Sequence, residues 1–273
     1  MPSAGQSLLE IDSLEIHVLV NDEIDQISPS PNPLVKHTQS FAGVPLSPVP
    51  DPAARGGAKL EMPMRNICCV NSGKADDSPV VVALPPNRPD YRGVMFDAPV
   101  SLEPDPTLQE IQDAGGNIEV IDQGRTVLDG MFFISGDIPR ETSYEGGIPG
   151  GIRYSIESGK WTKDELIMEE RYVMCNIKGK GLVIFTGCSH AGLINIAKNA
   201  KEITNNPIHS IVGGYHLADA SPEKMSHSMR DLKELKPALL MPGHCTGWRF
   251  KGLIENQMPG QMAPIFGGIK YVL

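Results

Sequence analysis

The stretch that decides the fold of this chain is Gly181–Gly192, with the sequence GLVIFTGCSHAG. Its apolar, β-branched residues predict a buried strand, and the following LINIAKNAKEI has apolar residues at helical spacing. A strand, a tight glycine turn and a helix place polar side chains at a strand end, where layered α/β proteins carry their sites. Cys188 and His190 lie at this edge, and both residue types bind metals. The alternative interpretation is a capped turn with a buried cysteine and an incidental histidine.

Two further strand ends repeat this arrangement. Ala238–Gly247, ALLMPGHCTG, is a short apolar run that turns through Pro-Gly into His244 and Cys245. Ile211–Leu217, IVGGYHL, is another short strand, and it ends on His216. A single histidine after a strand is usually structural, but three of them beside glycines favour one convergent site.

The bulk properties limit the class of protein. The chain has 273 residues, 40% of them hydrophobic, and a mean hydropathy of −0.16, as expected of a globular protein. A net charge of −9 and a pI near 5.3 argue against a nucleic-acid partner, which needs a basic face. The sequence contains no apolar stretch long enough for a membrane span. We therefore expect neither a nucleic-acid nor a membrane partner.

The cysteines and the N-terminal sequence predict a cytoplasmic protein. The five cysteines form an odd set with one adjacent pair, Cys68 and Cys69, and with no C-x-x-C motif. Such a set fits a reducing compartment better than a disulfide framework. The first residues, MPSAGQSLLEIDS, have neither the charged nor the apolar region of a secretory signal.

The remaining pattern predicts a mixed α+β fold in a layered α/β arrangement, as a single domain over residues 1–273. Prolines crowd residues 22–63, which we interpret as an extended excursion without a helix. Strands are expected at 13–20, 64–70, 79–84, 117–122, 126–135 and 269–273, and a further strand within 166–178, centred on 172–175. Helices are expected at 105–114, 222–235 and 247–257. In the first of these helices Pro106 is expected in the first turn, and residues 144–159 are expected to form a glycine-rich loop.

Four segments together resemble the metallo-β-lactamase fold. They are TGCSHAGLIN, GGYHLADA, PGHCTGW and ISGDIPR (Ile134–Arg140), and they look most like the dihydropterin-ribofuranosyl-aminobenzene-phosphate synthase-like branch. The resemblance implies a four-layer αββα sandwich with metal ions at one edge of the two sheets. It implies that His244 fills the last histidine position of the metal site, and that Cys188 or His190 replaces a metal-bridging aspartate. His216 would lie nearby as a ligand or a substrate-polarising catalytic group.

The chain departs from the family at its main metal-binding motif. That motif, H-x-H-x-D-H, supplies most ligands of a one- or two-metal centre, and no H-x-H occurs in this sequence. Only Val70–Pro79 joins two strands that a longer segment separates in the relatives, so we expect a truncated N-terminal half. The remaining candidate ligands are Cys188, His190, His216, His244 and Cys245. We expect His190, His244 and Cys188 to hold at most one zinc ion, weakly.

Two functions follow from these observations. The first is a metal-dependent hydrolase or transferase that acts on a small phosphorylated or ester-bearing molecule, with impaired catalysis because the main motif is absent. The second is a catalytically inactive, degenerate member or a shortened isoform that serves as a ligand-binding or structural remnant. Metal content of the purified protein discriminates between them.

Overall fold

The computed structural model describes residues 8–18, 40–41, 44–45, 80–102 and 104–273. They divide into two compact units. The first contains residues 8–18 together with Gln123–Gly146 and Glu170–Leu273, and the second contains Gly147–Glu169 and the described residues between 40 and 122. The single domain predicted over residues 1–273 stays a prediction. Apart from residues 40–41 and 44–45, the predicted proline-rich excursion lies outside the described residues, as does the strand predicted at 64–70.

The described strands and helices are as follows, in chain order. The strands are β1 (Glu10–Ile11), β2 (Glu15–His17), β3 (Ser40–Phe41), β4 (Val44–Pro45), β5 (Val80–Leu84), β6 (Tyr91–Met95), β7 (Pro99–Ser101), β8 (Gly116–Val120), β9 (Arg125–Val127), β10 (Phe132–Ile134), β11 (Gly151–Ser155), β12 (Lys160–Lys163), β13 (Val173–Ile177), β14 (Gly181–Phe185), β15 (Ile208–Gly214), β16 (Leu239–Gly243) and β17 (Lys270–Val272). The α-helices are α1 (Leu108–Asp113), α2 (Leu193–Thr204), α3 (Pro222–Leu235) and α4 (Trp248–Gln257). The mixed α+β class is confirmed.

The first unit is built on a seven-stranded sheet. Its order is β16-β15-β14-β13-β10-β9, and β1 also pairs with β13. The strands β14, β15 and β16 are parallel neighbours, joined through α2 and α3. Parallel strands need such crossover connections. Their sequences are nearly continuous apolar runs, because both faces of a parallel sheet are covered. The carboxyl ends of these three strands therefore meet at one edge of the sheet.

Residues along the strands of this sheet alternate between two apolar clusters. One face carries Met174, Leu182 and Ile184, which pack in the same cluster as the buried residues of α2, α3 and α4. The opposite face carries Cys175 and Val183, which pack with Ile16 of β2 and Tyr271 of β17. Because successive strand residues point to opposite faces, one run of sequence supplies both clusters. The unit is thus layered as helices, a large sheet and the two-stranded β2–β17 sheet.

Two helices of the first unit, α2 and α3, begin where side chains accept hydrogen bonds from their first backbone N–H groups. The carboxylate of Glu145 accepts hydrogen bonds from the N–H groups of Ile194 (2.9 Å) and Asn195 (3.0 Å) in the first turn of α2. These donors have no partner within the helix itself. Ser221 caps α3, and Pro222 occupies its first turn, as the sequence predicts.

The second unit has three small sheets among its described residues. The largest is the antiparallel sheet β12-β11-β6-β7, and the others are the β3–β4 pair and the parallel β5–β8 pair. The helix α1 packs Ile111 against Val82 and Leu84 of β5. Arg92 of β6 forms partly buried ion pairs with Asp164 (3.4 Å) and Glu169.

Three sequence-based boundaries are wrong. The strand expected over 126–135 is a hairpin of β9 and β10, because Leu128 (φ 51°) and Asp129 (φ 54°) adopt left-handed conformations that turn the chain. The loop expected over 144–159 contains β11, which pairs with β6 and β12. The first helix begins at Leu108 rather than with Pro106 in its first turn, because Thr107 and Glu110 form a reciprocal capping box.

Candidate metal centre

The candidate centre lies at the edge of the large sheet where β14, β15 and β16 end. Cys188 and His190 follow β14, His216 follows β15, and His244 and Cys245 follow β16. All five belong to the first unit. The parallel order of the strands therefore places at one edge side chains that are far apart in the sequence.

Cys188, His244 and Cys245 form the tightest group at this edge. The Sγ atom of Cys188 lies 3.0 Å from Nε2 of His244, and the Cys245 thiol donates to the carbonyl oxygen of Cys188 at 3.3 Å. The potential ligand atoms of all three lie within 4.8 Å of one another. Both cysteines are buried, whereas His244 is partly exposed, so the group is open to solvent on the histidine side.

The backbone around this group is held in unusual conformations. Ser189 (φ 60°), His216 (φ 50°) and His244 (φ 48°) all adopt left-handed conformations, which L-residues with side chains rarely adopt. The carbonyl of Cys245 accepts hydrogen bonds from the N–H groups of Leu217 and Ala218, both at 3.1 Å. These bonds fix the His216 turn against the His244 turn. Such strain clusters at functional sites when the surrounding structure enforces it.

Gly214 is required for the close approach of these turns. A Cβ at this position would lie 2.8 Å from Sγ of Cys245 and 2.9 Å from the carbonyl oxygen of Gly187. The N–H of Gly214 donates to the same Gly187 oxygen at 2.8 Å, and its carbonyl accepts from the Ser189 hydroxyl at 2.6 Å. The absent side chain therefore lets β15 end against both flanking turns.

His190 and His216 form a second pair beside the group. Their ring centroids are 4.7 Å apart and their planes are almost perpendicular, at 89°. The buried carboxylate of Glu170 accepts from the N–H groups of His190 (2.9 Å) and Ala191 (2.5 Å), and lies 3.7 Å from His190 Nδ1. Burial raises the pKa of Glu170, although these hydrogen bonds and the charge of Arg140 oppose that rise. The Glu170 carboxylate thus holds the turn that carries His190.

The surroundings shift the pKa of the strand residue Cys175 and that of Cys245, in the turn after β16, in opposite directions. Burial raises the pKa of the Cys175 thiol, on the face opposite the helices, to about 12. Burial acts in the same direction on Cys245, but hydrogen bonds with Cys188 and His216 and the nearby histidine charges bring its pKa well below the ordinary value. Thiolate is the form of cysteine that binds metals.

The structure places the predicted site residues in two sets. It brings Cys188 and His244 together, and it pairs His190 with the predicted catalytic residue, His216. The assignment of His190 as a ligand and of His216 as catalytic stays a prediction. Sequence reasoning named Cys245 as a candidate ligand but did not place it in the expected set of His190, His244 and Cys188, although its adjacency to His244 was an available signal. It missed Glu170 altogether, because no motif marks that residue.

The donor set fits a metal of the kind that the resemblance implies. Two sulfur atoms and one imidazole nitrogen are all zinc-type ligands, and three protein ligands with one open position are usual for a catalytic zinc site. None of the three described cysteines is in a disulfide, so both sulfur atoms are available as ligands.

Comparisons with known proteins agree with this fold. No protein-family model matches the chain. Over 116 residues the chain is 28% identical to the 7,8-dihydropterin-6-methyl-4-(beta-D-ribofuranosyl)-aminobenzene-5'-phosphate synthase of Methanocaldococcus jannaschii, covering 42% of this chain and 39% of that protein. It is 30% identical over 168 residues to an uncharacterized protein of the same organism, covering 60% of this chain and 59% of that protein. The matches thus span less than two thirds of either relative.

A solved structure is similar over a larger share of the chain. The crystal structure of a metal-dependent hydrolase of the beta-lactamase superfamily matches with a TM-score of 0.59 and 23% identity, covering 71% of each chain. The chain therefore has the metallo-β-lactamase fold that the sequence segments predict. The synthase among its sequence relatives is of the branch that those segments resemble most, which confirms the resemblance. Among the described residues, no helix has the length and apolar character to cross a bilayer.

Proposed function

We propose that this chain is a metal-dependent, hydrolase- or transferase-like protein that acts weakly on a small phosphorylated or ester-bearing molecule. The observation that carries the proposal is the 3.0 Å approach of Cys188 Sγ to His244 Nε2 at the edge where the parallel strands end. The name of the synthase relative describes a phosphate-bearing product, which supports a phosphorylated substrate class. The metal-dependent hydrolase with the same fold supports the reaction type.

The protein would hold the cation through Cys188 and His244, the two predicted ligands whose side chains lie in contact. A bound divalent cation at such a site supplies Lewis acidity and lowers the pKa of bound water. His216 is held beside His190 by the hydrogen bonds that tie its turn to Cys245. We propose that the His216 imidazole donates a hydrogen bond to a substrate oxygen and so orients the bond to be cleaved.

Impaired catalysis is part of the proposal. The chain contains no H-x-H sequence, so the histidine-rich loop that supplies most ligands of the family's centre has no counterpart among its seven histidines. With three clustered donors, one zinc at most would bind, and weakly. A single cation cannot clamp both the attacking and the leaving oxygen, as a two-metal site does.

The proposed partner is a small molecule in the cytoplasm. The net charge of −9 disfavours extended polyanionic partners such as nucleic acid and acidic membrane surfaces. The buried cysteines of the group favour a reducing compartment, in which thiols persist.

The test combines metal content with turnover. The purified protein is dialysed against zinc, its metal is counted by mass spectrometry, and hydrolysis of p-nitrophenyl phosphate, bis(p-nitrophenyl) phosphate and p-nitrophenyl acetate is measured. We expect up to one zinc per chain and slow turnover of at least one probe. His216→Ala should lower kcat by about 100-fold or more, as for a lost acid–base group, and His227→Ala on α3 is the matched control. Two zinc ions per chain would contradict the one-metal site, and no turnover of any probe by the zinc-loaded protein favours the inactive remnant.

A further inference from the structure

Cys245 takes part in the candidate centre in a way that the sequence did not predict. It follows His244 directly, yet both side chains reach the same point, because His244 is left-handed and the chain turns sharply there. The Cys245 thiol donates to the Cys188 carbonyl, and its sulfur lies within 4.8 Å of both the Cys188 sulfur and the His244 nitrogen. One short turn therefore contributes two of the three donors.

The position of the Cys245 sulfur is fixed from several sides. The Cys245 carbonyl is held by the N–H groups of Leu217 and Ala218. Next along the chain, the hydroxyl of Thr246 is fully buried and donates to the Gly243 carbonyl at 2.7 Å. Gly214 leaves the space into which the sulfur projects. A thiol fixed in this way keeps its position without a cation, so little ordering is needed when one binds.

We propose that Cys245 is the third protein ligand of the centre, which makes it a two-thiolate, one-imidazole site selective for thiophilic cations such as Zn²⁺ and Cd²⁺. This inference rests on the proposed function, because it concerns the same site. It assigns the third position to a sulfur rather than to the nitrogen of His190.

The chemistry of such a site differs from that of a histidine- and carboxylate-rich centre. Thiolates select zinc-like and softer cations, whereas oxygen ligands suit magnesium and manganese. Two thiolates also neutralise the charge of a divalent cation, which reduces its Lewis acidity. Two thiolate ligands would therefore slow the proposed turnover by a cause separate from the absent H-x-H sequence.

The test is a cadmium titration of the full-length chain followed by ultraviolet absorption, because each thiolate–cadmium bond adds a charge-transfer band. Cys68→Ser/Cys69→Ser is the background, since that adjacent pair could also bind cadmium. We expect a band with the amplitude of two thiolates per cadmium. Cys245→Ser and Cys188→Ser should each halve the amplitude, His244→Ala should keep the amplitude and weaken binding, and Cys175→Ser should change neither. A tenfold excess of Mn²⁺ should leave the band unchanged.

A second measurement avoids substitutions, in case Cys245→Ser does not fold. The wild-type protein is alkylated with iodoacetamide with and without Zn²⁺, and each cysteine is quantified by peptide mapping. Zinc should slow alkylation of Cys245 and Cys188 to the same extent and leave Cys175 unaffected.

The outcomes separate this inference from the proposed function. One outcome is that zinc protects only Cys188 from alkylation and that cadmium gives a one-thiolate band that Cys245→Ser does not change. This outcome would overturn the role of Cys245 and leave the proposed metal site in place. A two-thiolate band without turnover of any ester probe would support the role of Cys245 and contradict the proposed activity. Absence of any metal binding would overturn both.

Discussion

The sulfur of Cys188 and Nε2 of His244 lie 3.0 Å apart, although 56 residues separate them in the chain. Cys188 follows β14 and His244 follows β16, and β15 lies between these two strands in the sheet. The contact thus depends on the parallel register of all three strands, which pairs Phe185 with Val212 and Gly214 with Gly243 at their ends. A site assembled in this way is fixed by the sheet rather than by any local loop.

Replacing His244 with alanine tests whether this contact holds zinc. The change removes the only imidazole of the tight group, so zinc affinity should fall by more than the roughly 10- to 100-fold that losing an outer-shell partner costs. Isothermal titration of wild type and His244→Ala with zinc near neutral pH measures the difference, and His227→Ala is the control. Equal, tight binding by His244→Ala and wild type would remove His244 from the site.

Gly214→Ala should destabilise the protein and weaken zinc binding at the same site, because Gly214 lies against the Cys245 sulfur. The added Cβ would meet the Cys245 sulfur at 2.8 Å and the Gly187 carbonyl at 2.9 Å, so either the sulfur or the backbone must move. Overpacking of this kind costs about 1–3 kcal/mol. Urea unfolding measures the loss, and zinc titration should show weaker binding by the folded variant.

Gly252→Ala is the matched control for that substitution. Gly252 is exposed within α4, and an added Cβ there would meet no atom within 4 Å. Alanine is the better helix former, so this variant should gain about 0.5–1 kcal/mol. If both variants shift stability in the same direction, the close contact at Gly214 does not constrain the structure.

Much of the fold could be predicted from periodicity. The spacing of apolar residues predicts the strand at 181–185 and the helices at 193–204 and 222–235. In each of these segments the spacing matches only one type of secondary structure. The hairpin at 128–131 could not be predicted, because Leu128 is apolar and continues the strand pattern while its backbone turns through positive φ. The backbone conformation of such a residue is determined by tertiary packing and not by its local preference.

Part of the candidate site could also be predicted from the sequence pattern. Cysteine and histidine after three strands indicate a shared edge, since parallel strands bring their ends together. Which donors then meet depends on side-chain directions that the sequence does not contain, so Cys245 was one of five candidates and was not placed in the expected set of three. Glu170 acts through backbone N–H groups in a turn 20 residues further along, a contact with no sequence signature.

Glu170→Gln should loosen the turn that carries His190. The carboxylate accepts two backbone N–H groups in a fully buried position, whereas an amide offers one acceptor oxygen and presents a donor at the other position. An unsatisfied buried N–H costs about 1–3 kcal/mol. The free energy of unfolding from urea titration should fall by that amount, and Glu202→Gln on the exposed side of α2 should leave it unchanged. A variant as stable as wild type would show that the Glu170 contacts do not hold this turn.

His209 should make the stability of the chain depend on pH. The ring is half-buried near the start of β15, and first burial and then the charge of Lys180 lower its pKa below the ordinary 6.5. Between that lowered pKa and 6.5 the unfolded chain binds more protons than the folded one. The free energy of unfolding must therefore rise with pH through this window and fall as the pH drops below about 6.5.

Two substitutions separate the His209 contribution from those of other groups. His209→Gln should flatten the pH dependence within the window, because glutamine does not titrate. Lys180→Met should bring the folded-state pKa closer to 6.5 and make the dependence shallower, since it removes the repelling charge but leaves the burial. Urea midpoints of the three proteins at a series of pH values measure the slopes. Identical slopes for wild type and His209→Gln would assign the pH dependence to other groups, and a steeper slope for Lys180→Met would contradict the stated sign.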